Sequence, residues 1–206
     1  MKINILFVMH KKLCYHNYMD KKISIYKLVC GEIKEFCYII DVDGEGIIID
    51  PGQAVQKIRC FLQKNNIVPK VILLTHAHYD HAYACKYLQS KGAKCFVHEL
   101  DADKLYGKGN MEELFEKPFP KTKADGVLRE GKYEFLGIPV EVLHTPGHTS
   151  GSCCFIIDGN LFSGDTLFDN GYGRCDLADG NFTAMKQSLR KLKPYFNLPR
   201  YAGHTY

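Results

Sequence analysis

The chain has 206 residues, 46% of them hydrophobic, enough to bury one substantial core and without a composition shift that would mark a second domain. Its net charge of +4 is spread over scattered lysines, which describes a solvated surface rather than a nucleic-acid groove. No run approaches the roughly 18 apolar residues of a membrane span. The nine cysteines form no Cys-x-x-Cys pair, and Cys37, Cys60, Cys95, Cys153 and Cys154 sit in apolar runs; reduced core thiols in a cytoplasmic protein are expected, not disulfides or a cysteine-held zinc.

Residues 1–18 read as an N-terminal extension dispensable for folding, with Met19 as an alternative start, and 19–206 as a single domain. The apolar run at 3–9 leads into His10-Lys11-Lys12 without the small-residue cleavage site of a signal peptide. Strands are predicted at 23–30, 36–42 and 46–50, joined by turns at Gly31 and at Asp43-Gly44. Val55, Ile58, Phe61 and Leu62 recur at helical spacing, which predicts a helix over 54–65. A strand at 71–74, a helix over 80–90 closed by Gly92, a strand at 94–98 and a short helix from Glu99 come next. The stretch 104–126 is irregular; Leu114, Phe115 and Phe119 make it either a surface loop tucked onto the core or a cap over a site. Strands then recur at 132–135, 138–144, 152–157 and 160–163, and a helix over 181–192 ends before Pro194. The alternation supports sheets covered outside by helices, an α/β (α+β) class.

Thr75-His76-Ala77-His78-Tyr79-Asp80-His81 packs three imidazoles and a carboxylate into seven residues directly after the apolar run Val71-Ile72-Leu73-Leu74. These side chains are the usual protein ligands of zinc and neighbouring divalent metals. In an extended segment His76 and His78 point the same way, and Asp80 and His81 fall at the start of the following helix. His148 follows the strand-like run Val140-Glu141-Val142-Leu143, presented by a Pro146-Gly147 turn of little freedom. Asp165 leaves another apolar run, and His204 stands in Ala202-Gly203-His204. His98 and His144 are better read as packed or hydrogen-bonded than as ligands.

The order of these motifs, together with Ile47-Ile48-Ile49-Asp50-Pro51-Gly52, resembles the metallo-β-lactamase superfamily from about Ile23 to His204. Gly164-Asp165-Thr166-Leu167-Phe168 and Gly173-Arg174-Cys175-Asp176-Leu177 resemble its hydroxyacylglutathione hydrolase (glyoxalase II)-like branch. The resemblance implies a four-layer αββα sandwich. It also implies two divalent ions, zinc first and iron or manganese as the other options. His76, His78 and His148 would hold one ion, Asp80, His81 and His204 the other, with Asp165 bridging. Asp80 and Asp165 would be catalytic as well as ligating, in hydrolysis of a small-molecule thioester such as a hydroxyacylglutathione by a metal-bridging hydroxide. Asp50 would orient a ligand imidazole. Tyr79 and Tyr83 are candidates for the pocket wall, and Arg174 with Asp176 for a structural ion pair or a substrate contact.

Three departures bear on these expectations. Glyoxalase II enzymes carry a C-terminal helical region for glutathione recognition, whereas this chain stops two residues after His204. A histidine so placed is expected to be loosely held. Tyr83 stands where relatives often have glycine. The alternative within the resemblance is a persulfide dioxygenase with a single iron on His76, His148 and Asp165; a binding module without turnover is the other class. No nucleic-acid or membrane partner is expected, and oligomeric state is left open.

Overall fold

A computed structural model describes residues 21–205; the expected extension over 1–18 lies outside them. Strands β1 (Ile23–Val29), β2 (Phe36–Val42), β3 (Glu45–Ile49), β4 (Val68–Leu73), β5 (Lys94–His98) and β6 (Gly126–Leu128) form one sheet in that order. A second sheet takes β7 (Gly131–Phe135), β8 (Ile138–His144), β9 (Cys153–Ile157), β10 (Asn160–Gly164) and β11 (Arg200–Ala202) in the order β11-β10-β9-β8-β7. Helices α1 (Val55–Lys64), α2 (Tyr79–Ala82), α3 (Cys85–Gln89) and α4 (Phe182–Leu192) complete the frame.

Period-2 alternation sorts the strand residues into layers. Phe36, Tyr38 and Ile40 of β2, Ile47 and Ile49 of β3 and Val71 and Leu73 of β4 face Val140, Val142, Phe155 and Phe162 of the other sheet. Cys37, Ile39, Ile48 and Ile72 turn to the opposite face and pack on Ile58, Phe61 and Leu62 of α1 and on Cys85 and Leu88 of α3. On the far side of the second sheet, Leu143, Cys154 and Leu161 pack with Leu192 of α4. Helix, sheet, sheet, helix: this is the four-layer αββα sandwich.

Local chemistry explains where the elements turn and where the expectations needed correction. Asp43 and Gly44 both have positive φ (52° and 86°), the requirement of a tight two-residue hairpin turn between β2 and β3. The helix expected over 80–90 is split, because Ala84 donates its N–H to the Pro51 carbonyl (2.9 Å) instead of continuing the helical ladder. The helix expected at Glu99 is a 3₁₀ segment, Glu99–Tyr106, ended by Gly107. β6 and β11 were not expected; each has three residues, too few for periodicity to register. Cys60 is exposed on α1, while Cys37, Cys95, Cys153 and Cys154 are buried, and all the described cysteines in question are free thiols. Among the described residues no helix is long and apolar enough to cross a membrane.

Cross-links hold the two sheets together at one edge. Cys153 N–H donates to the Thr75 carbonyl (2.7 Å), Phe36 N–H to the Gly203 carbonyl (2.8 Å) and the Tyr38 hydroxyl to the Ala202 carbonyl (2.5 Å). These bonds join β9 to the end of β4, and β2 to the end of β11.

Candidate metal centre

Five strands deliver residues to that edge. Asp50 follows β3, the 75–81 segment follows β4, His148 sits on the turn between β8 and β9, Asp165 follows β10, and His204 follows β11. Short apolar strands make a rigid rim, so each ligand leaves a fixed point. Gly164 (φ +48°) lets the chain turn into Asp165, and a Cβ there would collide with the Thr75 side chain. Gly203 is equally constrained, because a Cβ would fall onto a carboxylate oxygen of Asp165.

The seven expected ligands converge. His76, His78 and His148 bring one nitrogen each within 4.8 Å of one another, as do the donor atoms of Asp80, His81 and His204. His78 Nδ1 lies 3.0 Å from His148 Nε2; His81 Nε2 lies 3.2 Å from Asp80 Oδ2 and 3.2 Å from His204 Nε2. Two donors on one zinc at bonds of about 2.1 Å sit roughly 3.3 Å apart. Asp165 stands between the trios, with Oδ1 3.5 Å from His81 Nε2 and Oδ2 3.5 Å from both His148 Nε2 and His204 Nε2. His76 Nε2 and Asp165 Oδ1 are buried without a hydrogen-bond partner. Buried polar atoms left so are costly in a protein interior, and divalent metal binding is what this donor set fits.

Hydrogen bonds behind the ligands set their tautomers. Asp50, held at φ +50°, accepts from Thr75 N–H (2.8 Å), the Thr75 hydroxyl (2.6 Å) and His81 Nδ1 (3.1 Å), which turns His81 Nε2 inward. The Thr75 hydroxyl, having given its proton to Asp50, accepts from His76 Nδ1 (3.1 Å), so His76 Nε2 keeps its lone pair. His148 Nδ1 donates to the Arg174 carbonyl (2.7 Å) with the same result.

Asp101 is a positioning residue that sequence reasoning missed. Fully buried, it accepts from Ala77 N–H (2.9 Å), between His76 and His78, and from Thr149 Oγ1 (2.9 Å) and Gly151 N–H (3.0 Å), just past His148. One carboxylate thus clamps the two loops that make the three-histidine trio. Lys104 Nζ lies 2.7 Å from Asp101 and 2.7 Å from Asp179, and Asp179 in turn accepts from Ser150 N–H (2.9 Å). In the sequence, Asp101 looks like an ordinary acid in the first turn of a helix, and no local pattern separates it from that.

Other candidates fall elsewhere. Tyr79 is buried away from the cavity wall: its ring stacks on Phe115 (4.1 Å, 9°) and its hydroxyl donates to the Lys117 carbonyl (2.8 Å). Tyr83 packs against Tyr79 on the helix side, so neither tyrosine lines the pocket. The reason is the α2 start, which points Asp80 inward and Tyr79 under the 104–126 loop. Arg174 and Asp176 form an exposed two-bond ion pair (3.0 and 2.9 Å), and Arg174 lies at the cavity. His98 and His144 stack on each other (4.1 Å, 8°) outside the ligand sets. His204, expected to be loosely held, is 5% exposed and is braced by Gly203 N–H to the Gly164 carbonyl (2.8 Å). The 104–126 stretch caps the site, since Met111, Leu114 and Phe115 line a cavity of about 490 Å³ with His78, Asp80, His148, Asp165 and His204.

The charges divide between the trios. Burial, reinforced by neighbouring imidazoles, pushes His76 well below the usual histidine value and His78 down to about 4, so both are neutral at pH 7. Burial also disfavours a charged His81, but Asp80 and Asp165 outweigh it and raise His81 well above that value; His204 is raised by Asp80 and Asp165 against the same burial cost. A cation entering the Asp80–His81–His204 trio must therefore displace protons, and affinity there rises with pH up to the raised His81 value. Calorimetric zinc titration at pH 7.5 in two buffers of different ionisation enthalpy is expected to report release of about one to two protons per chain. Buffer-independent heat would contradict the charge assignment.

Comparisons with known proteins agree with the geometry. Hydroxyacylglutathione hydrolase of Xanthomonas axonopodis pv. citri is 34% identical over 154 residues, covering 75% of this chain and 53% of that protein. The crystal structure of the BLEG-1 B3 metallo-β-lactamase superposes with a TM-score of 0.81 at 29% identity, over 88% of this chain and 92% of the other. That of TTHA1623 in a di-iron-bound form gives 0.77 at 30%, with the same coverage. The family model matches residues 31–204, and the chain belongs to the metallo-β-lactamase superfamily.

Proposed function

We propose that this protein is a hydrolase that uses two divalent ions, zinc first, to cleave a thioester of a small molecule. The observation that carries the reading is Asp165, whose two oxygens reach toward both ligand trios at once. Hydroxyacylglutathione hydrolase, a relative at 34% identity, supports the choice of a thioester. When bound, such ions supply Lewis acidity, which acidifies water near neutral pH and polarises a carbonyl.

The chain's own residues do the rest. Asp50 and Thr75 hold His81 and His76 in the tautomers that aim Nε2 inward. Asp80 and Asp165 line the cavity, where a carboxylate takes up the proton that water loses. Water oxygen adds to the carbonyl carbon, the C–S bond breaks and sulfur leaves as thiolate. One thioester and one water become a carboxylate, a thiol and one proton. The 104–126 cap limits access of bulk water to the cavity.

Purified without added metal or chelator, the protein is expected to carry about two divalent ions per chain. Thioester cleavage should disappear on dialysis against a chelator and return with zinc. The dioxygenase alternative rested on a weakened His204, and the burial of His204 beside Asp80 favours the two-ion reading instead. A single iron per chain with oxygen uptake on glutathione persulfide would replace the hydrolase reading.

A further inference from the structure

The walls of the cavity bear on what enters it. Beyond the ligand residues, Met111, Leu114 and Phe115 of the cap face Phe168, Tyr172 and Leu177. Leu114 is 65% exposed and Tyr172 44% exposed, so the apolar surface runs from the ligand cluster to solvent. Met111 holds the cap in a left-handed conformation (φ 66°) that a side-chain-bearing residue seldom adopts, and Tyr79 fixes it from below through its N–H to the Asn110 carbonyl (2.7 Å). Backbone strain kept at a wall residue points to a shaped pocket rather than a slack loop. Of the lining residues, Arg174 carries the single Lys or Arg charge, and Asp176 grips it through two hydrogen bonds.

We infer that the cavity selects an acyl thioester with an apolar acyl chain on an uncharged thiol carrier, and discriminates against carriers bearing carboxylates; this rests on the hydrolase reading above. The physical reason is asymmetric. Each methylene moved from water onto these side chains improves binding about three- to fourfold. A carrier carboxylate such as glutathione's two, moved against the same apolar walls away from the ligand cluster, loses hydration and meets no lining lysine or arginine except Arg174, which Asp176 already engages. Leu114, Phe115 and Met111 are then the specificity-determining residues.

The test compares carriers at constant acyl group. For the metal-loaded protein, kcat/KM on hexanoyl-N-acetylcysteamine should exceed that on hexanoylglutathione by about tenfold or more. It should also climb about three- to fourfold per methylene from acetyl to hexanoyl. Leu114→Lys, at an exposed position that tolerates the change, should flatten the chain-length dependence and narrow the gap between carriers. In parallel, calorimetry with the uncleavable thioethers S-hexyl-N-acetylcysteamine and S-hexylglutathione reads selection without turnover. Tighter binding of the glutathione thioether, or a flat chain-length series, overturns the inference. Cleavage of neither thioester with two ions bound overturns the hydrolase reading, and the thioether affinities still decide what the cavity prefers.

Discussion

On the proposed hydrolase reading, Asp165→Ala is expected to lower thioester turnover by about 10³-fold or more, the scale set by removing one preorganised electrostatic partner from a reacting centre. The carboxylate is 8% exposed and its oxygens point to His81, His148 and His204. Asp50, the other carboxylate near both a first-trio and a second-trio histidine, is already engaged by Thr75 and His81 and does not replace it. Metal content should fall together with activity, from about two ions toward one. Asp165→Asn separates charge from shape: it keeps the volume and one oxygen but loses the negative charge that offsets two cations. It should retain more folded stability than the alanine variant while losing nearly as much activity. Elemental analysis and kcat/KM on one preparation check both statements. Full turnover in Asp165→Ala would remove the central observation of the proposed function.

The second large effect lies outside the ligand set. Asp101→Ala leaves the N–H groups of Ala77 and Gly151 without their acceptor and Lys104 with half its compensation in a buried position. Breaking a buried ion pair by removing one partner costs about 3–5 kcal/mol. For a chain of this size the expected fall in Tm is about 10 °C. Asp101→Leu combined with Lys104→Met removes both charges and should recover part of that loss, whereas Lys104→Met alone should not. The same carboxylate spaces His76 and His78 from His148, so the single variant should also weaken the first ion about 10- to 100-fold, the scale seen when a ligand's support is removed. Competition with a chromophoric zinc chelator measures it. Unchanged metal affinity in a destabilised Asp101→Ala protein would reduce Asp101 to a purely structural residue.

Lys104 and Asp179 make that network sensitive to pH. Burial opposes charge on both, yet Asp101 and Asp179 raise Lys104 above its usual value, and Lys104 with Ser150 lowers Asp179 below its own. The Asp179 contribution is thus present above the unfolded carboxylate value and is lost as pH falls through the lower folded one. The Lys104 contribution is complete below the unfolded lysine value and is lost only as pH rises past the folded one. Between these limits the clamp on the two histidine loops is intact.

The candidate ligands, which the fold brings together, were legible in the sequence because their signal is chemical and local. Seven residues, 75–81, hold three imidazoles and a carboxylate directly after an apolar strand, and His148, Asp165 and His204 each leave a similar run in a recognisable order. Most strands were legible for the same reason, since alternation on a two-sided sheet is written within five to seven residues. The sandwich itself entered through the family resemblance, because periodicity within a strand says nothing about which sheet faces which.

Tertiary structure alone decided the rest. Asp101 acts through residues 24, 48 and 50 positions away, and a contact across such separations leaves no mark on neighbouring residues. The break between α2 and α3 depends on the Pro51 carbonyl, brought in from the end of β3, and the secure seat of His204 depends on Gly164 and Phe36 from two different sheets. Tyr79 left the pocket because one turn of helix aims Asp80 at the ligands and its neighbour under the cap, a direction that composition does not carry. Side-chain identity and short-range pattern fix which groups are offered to a metal; only the folded chain, by closing long loops at one sheet edge, fixes their distances, their tautomers and the apolar wall around them.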